Sequence, residues 1–75
     1  MQRLSENHLK QFGRNIATLR VAGGWTQEQL AEKTGISWRY LQSIEAGKRW
    51  PSIIVLLRLK GALVCQWVDF FAGVE

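Results

Sequence analysis

Between residues 26 and 47 the chain reads TQEQLAEKTGISWRYLQSIEAG, two short helical patterns parted by one glycine. Thr26 suits a helix N-cap and Gln29 stands three residues on, so Thr-x-x-Gln predicts a capping box. Leu30 and Ala31 face inward from this first pattern. Gly35 ends it, in the left-handed conformation that glycine adopts without a steric cost. Ile36 is the apolar plug of the turn, and Ser37 is a second N-cap. Leu41 and Ile44 give the next helix its inward face, and Gly47 closes it.

The flanking sequence is helical as well. Leu9, Phe12, Ile16 and Leu19 recur at helical spacing with polar residues between them, which predicts a first helix over residues 7–21 that stops at Gly23 and Gly24. Ser52 caps a fourth helix over 53–63, with Ile53, Leu56, Leu59 and Leu63 as its inward stripe and Ile54 and Val55 off that stripe. A short last helix spans 67–72, with Asp69 in the first turn where a carboxylate suits the helix dipole. No strand alternates convincingly. The expected fold is all-α, a compact set of five short helices in a single domain over residues 1–75, with its core at about 9–71.

Composition narrows the function. A chain of 75 residues holds one small domain, and 47% hydrophobic residues exclude a disordered tail. One Cys and one His cannot build a disulfide or zinc framework, so no metal or cofactor is expected. The apolar run 53–57 is far too short to span a bilayer. Ser5, Glu6, Asn7 and His8 occupy the place of a signal peptide's apolar region, so a cytoplasmic protein is expected. No glycine-rich phosphate loop or nucleophile motif appears, so neither an enzyme nor a small-molecule ligand is expected. The net charge of +4 favours a polyanionic partner.

Two short helices joined by a tight glycine-containing turn make a helix-turn-helix candidate. In that geometry the first helix of the pair crosses the DNA backbone and the second lies in the major groove. The outward face of the second carries Trp38, Arg39, Gln42 and Ser43, opposite Leu41 and Ile44. An Arg39 guanidinium pairing with guanine O6 and N7 is worth about 1–3 kcal/mol of discrimination. A phosphate contact is its alternative, one that positions without reading sequence. Gln42 suits adenine. Ser43 is short, and its contribution is to avoid a clash. Trp38 has three open roles: packing on a thymine methyl or sugar, folding back over the helix, or meeting a second molecule. Tyr40 either donates its hydroxyl to a phosphate or packs against the preceding helix. Trp25 reads as a staple against the core, and Trp50 either covers the core edge or stacks against sugar-phosphate.

The chain resembles the lambda-repressor-like, or Cro and Xre type, helix-turn-helix family. The resemblance runs through Phe12-Gly13-Arg14-Asn15-Ile16, Leu19-Arg20, Trp25-Thr26-Gln27-Glu28-Gln29-Leu30-Ala31, Gly35-Ile36-Ser37, Leu41, Ile44-Glu45-Ala46-Gly47-Lys48-Arg49 and Pro51-Ser52. It implies a five-helix fold whose second and third helices bind DNA. It implies that Gln27 bonds a phosphate, that Ser37 touches the backbone, and that Lys48 and Arg49 contact phosphates. It places Trp38, Arg39, Gln42 and Ser43 at base edges, and makes Arg20 and Glu45 a structural ion pair. Trp38 departs from the usual polar residue, Lys60 from a small buried Ala, and Val64 from a helix-ending Gly.

Trp67, Phe70, Phe71 and Val74 add more apolar surface than one small core needs, which points to an interface. A homodimer is expected through Ile54, Val55, Trp67 and Phe71. A twofold dimer sets two recognition helices about 34–36 Å apart on an inverted repeat. The expected function is sequence-specific binding of double-stranded DNA by a transcriptional regulator, a repressor or controller protein. The alternatives are an antitoxin or a protein-interaction module on the same fold. Arg39, Lys48 and Arg49 argue against a module that has lost DNA.

Overall fold

In the computed structural model, which describes residues 6–74, the chain forms α1 (Glu6–Ala22), α2 (Gln27–Thr34), α3 (Trp38–Glu45), α4 (Ile53–Leu63) and α5 (Trp67–Phe71). The expected all-α, five-helix order is borne out. The outermost ends of the expected 1–75 domain, residues 1–5 and 75, lie outside the described residues.

The caps sit where the sequence puts them. Thr26 Oγ1 accepts from Gln29 N–H at 3.1 Å, while Gln29 Oε1 accepts from Thr26 N–H at 3.0 Å. Each bond satisfies a donor that the first turn of a helix leaves open. Gly35 takes the left-handed conformation (φ 72°), and the next amide, Ile36 N–H, reaches back to the Ala31 carbonyl. Ser37 Oγ and Ser52 Oγ cap α3 and α4 through Tyr40 N–H and Val55 N–H.

Helix α1 packs against α3 and α5, and α2 packs against α3 and α4. The core holds Phe12, Ile16, Leu30, Ala31, Leu41, Ile44, Val55, Leu59 and Phe70. Gly13 is what brings α1 onto the end of α3. A Cβ there would stand 2.5 Å from the Ile44 carbonyl oxygen and 2.7 Å from that of Glu45. Trp50 covers the core edge, its ring 4.9 Å from that of Phe12. Phe71 lies against the same ring at 5.5 Å.

Three residues of the expected inward stripe of α4 hold, with Leu59 buried and Leu56 and Leu63 packed partly buried against the core, and only its first turn differs. Val55 and Leu59 are its buried residues, while Ile53 is 71% exposed. Because residues 53–57 are all apolar, the pattern leaves the first turn open, and packing covers Val55 rather than Ile53. Val55 is only 7% exposed, so it belongs to the core of one protomer and drops out of the expected dimer face. Ile54 remains exposed at 57%.

Val64 itself takes the left-handed conformation at the end of α4, with φ 51°. Its amide still closes on the Lys60 carbonyl at 3.0 Å. The turn therefore keeps the shape a glycine would give it, at the expense of local strain in a β-branched residue.

Candidate nucleic-acid interface

Three segments meet along one side of α3: the N-terminus of α2, the outer face of α3 and the loop that follows it. Trp38, Arg39 and Gln42 are exposed on α3, and Ser43 is half-buried beside them. A shallow cleft of about 300 Å³ is lined by Ser37, Arg39, Tyr40, Ser43, Lys48 and Arg49. Three of those six are cations and none is an anion. Neither Arg39 nor Lys48 makes an ion pair among the described residues. The cleft thus gathers six of the expected DNA contacts, the cap Ser37 among them, and its chemistry suits a phosphate or a base acceptor edge.

The hydrogen bonds define what each side chain has left to offer. Tyr40 Oη accepts Ser52 N–H at 3.1 Å, so its own proton remains free to donate outward. The Arg49 guanidinium lies 5.2 Å over the Tyr40 ring, a cation–π contact that holds the loop against α3. Ser37 Oγ is used as an acceptor by its cap and keeps its proton. Ser43 Oγ donates to the Arg39 carbonyl at 3.1 Å, which leaves it only acceptor capacity toward DNA.

Arg20 and Glu45 join α1 to the end of α3. Arg20 Nε lies 2.7 Å from Glu45 Oε2, and Nη2 lies 3.2 Å from Oε1. Arg20 Nη1 also donates to the Trp25 carbonyl at 2.8 Å. Gln27 extends this cluster, with Nε2 donating to Glu45 Oε1 at 2.9 Å and Oε1 accepting from Trp38 Nε1 at 3.2 Å. A phosphate contact is what the resemblance implies for Gln27, and nothing local in the sequence signals these two internal bonds. One Nε2 hydrogen is left for a phosphate.

Residues 16–63 match the helix-turn-helix family. The chain belongs to the helix-turn-helix family. It is 44% identical over 60 residues to the HTH-type transcriptional regulator y4dJ of Sinorhizobium fredii, covering 80% of this chain and 78% of that one. Its fold resembles that of the restriction-modification controller protein C.AhdI from Aeromonas hydrophila, with a TM-score of 0.79 and 35% identity, over 84% of this chain and 96% of the other. It also resembles the clp gene regulator ClgR from C. glutamicum, with a TM-score of 0.81 and 25% identity, over 89% and 86% of the two chains. The Cro and Xre type resemblance in the sequence is therefore borne out by family, relatives and fold together. In this helix-turn-helix chain, α2 and α3 are the helix pair and Gly35 is its turn.

Asn15 is a structural residue that the sequence did not reveal. Its Nδ2 donates to the Phe70 and Ala72 carbonyls at 2.9 and 2.8 Å, so it satisfies the end of α5 from α1. Nothing in its polar position on α1 signalled a partner 55 residues away.

Proposed function

We propose that this chain is a DNA-binding transcriptional regulator, and not an enzyme, that inserts α3 into the major groove of an inverted-repeat operator. The observation that carries this reading is the cleft beside α3, where Arg39, Lys48 and Arg49 converge without a carboxylate. Arg39, Trp38, Gln42 and Ser43 read bases; Gln27, Ser37, Tyr40, Lys48 and Arg49 hold phosphates. Contacts of the second kind set register and orientation, and contacts of the first kind set sequence.

The protein acts as a homodimer in the cytoplasm. Exposed Ile54, Trp67 and Phe71 support this, with Ile53, Leu57 and Val68 extending the apolar surface of α4 and α5. An unpaired face of this kind is relieved by a second copy, and twofold symmetry matches an inverted repeat.

Selection of bound duplexes from a random pool tests the reading. The expected product is an inverted repeat with half-sites one helical turn apart. A pool that shows no enrichment would defeat it. Arg39→Ala should relax discrimination at one base-pair position per half-site, by about 10-fold or more. Undiminished discrimination between operator variants would remove Arg39 from base readout.

A narrower reading is a restriction-modification controller. Similarity to C.AhdI over 96% of that chain favours it. Binding to a DNA segment upstream of an adjacent restriction-modification gene pair, where one exists, tests it.

A further inference from the structure

Trp38 stands in the first turn of α3, 48% exposed, at the start of the face that meets the groove. An indole has one polar atom, the Nε1 donor. That donor is already committed to Gln27 Oε1. Gln27 is itself held, because its Nε2 is bonded to Glu45, which is fixed by Arg20. The reverse amide orientation would set Gln27 Oε1 against the Glu45 carboxylate. A continuous chain of bonds thus runs from Arg20 on α1, through the end of α3 and the start of α2, to the indole ring.

A side chain whose only donor is turned inward presents carbon alone to its partner. In the major groove the distinctive apolar feature is the C5-methyl group of thymine. We infer that Trp38 is a reader of the pyrimidine C5-methyl group and that Gln27 is its positioning residue. The inference rests on the DNA-binding reading above. Because the ring is held before DNA arrives, little side-chain freedom is lost when the contact forms. The same surface accepts the methyl of 5-methylcytosine, so methylation of a cytosine at that position substitutes for thymine.

The probe is the duplex that the wild-type protein selects, with each thymine replaced in turn by uracil, which lacks only the methyl. At one position per half-site, uracil should weaken wild-type binding by about four-fold, the effect of one buried methyl-sized group. Trp38→Ala, at an exposed position that does not threaten the fold, should bind the thymine and uracil duplexes equally. Gln27→Ala should erase most of the same difference. If wild type tolerates uracil at every position, the methyl reading is overturned while DNA binding stands. If wild type selects no duplex, the DNA-binding reading falls and takes this inference with it. If Gln27→Ala loses affinity uniformly and keeps the full thymine preference, Gln27 is a phosphate contact and not the positioner of Trp38.

Discussion

Glu45 ends α3 beside its outward face, yet its carboxylate is turned inward to Arg20 and Gln27. It accepts from Arg20 on one side and Gln27 on the other, and is nearly buried. A carboxylate facing phosphates without a cation would be repelled, so the inward pairing also removes a charge that would oppose binding. Glu45→Ala strands the Arg20 guanidinium in a half-buried site. Losing one partner of such a pair costs about 3 kcal/mol. Thermal unfolding should therefore begin on the order of 10 °C lower. A variant that melts as wild type does would show that the pair contributes nothing to the fold. Cys65 sits apart from this network. Burial and then the nearby Asp69 carboxylate push its thiol up, partly offset by Lys60, so it stays protonated at neutral pH.

At the scale of the helices, two glycines inside helical segments have opposite consequences. Gly13 lies where α1 crosses the end of α3, and a Cβ there meets backbone oxygens that cannot swing aside. Gly61 lies in α4 with nothing within 4 Å of an added Cβ. Helix propensity favours Ala by about 1 kcal/mol at both sites. At Gly13 the enforced separation of α1 from α3 outweighs that gain, and Gly13→Ala should destabilise by about 2 kcal/mol. At Gly61 the gain is unopposed, and Gly61→Ala should stabilise by about 1 kcal/mol. Urea unfolding of the two variants checks both signs, and the same sign at both positions would contradict the packing of α1 on α3. The end of α4 offers a related test. Left-handed geometry costs a non-glycine residue about 1–2 kcal/mol, and glycine loses part of that advantage to its greater freedom in the unfolded chain. Val64→Gly should raise stability by about 0.5–1 kcal/mol in the same measurement.

For the whole molecule, the core is small and the apolar surface outside it is wide. Among the described residues nine hydrophobic side chains are buried, and exposed Ile53, Ile54, Leu57, Trp67, Val68 and Phe71 lie on the last two helices. Part of that surface is already engaged. Lys60 Nζ lies 5.4 Å over the Trp67 ring, and Phe71 leans on Phe12. Ile54 is 57% exposed and lies on the face expected to pair, which makes it a direct probe of self-association. Sedimentation should give a dimer for the wild type and a monomer for Ile54→Glu with unchanged helicity. The monomeric variant should lose operator affinity far more than affinity for a single half-site, because two linked half-sites act together. A wild-type monomer at all accessible concentrations would remove the dimer and leave α3 reading one half-site.

Local chemistry was enough to read the five helices, because caps and glycines act over three or four residues. Thr26 with Gln29, Ser37, Ser52 and Gly35 mark their boundaries without reference to anything distant. The outward face of α3 was legible for the same reason, since Leu41 and Ile44 fix its phase. The first turn of α4 was not legible, because an unbroken apolar run does not say whether Ile53 or Val55 faces inward until another helix covers one side. Nor were the tasks of Asn15 and Gln27, whose partners are far away in sequence and meet them only after packing. The sequence by itself thus determined which segments are helical and which face of α3 is free. Only the tertiary structure decided what the polar side chains have left to offer, because a hydrogen bond made inside the fold is one that DNA cannot use.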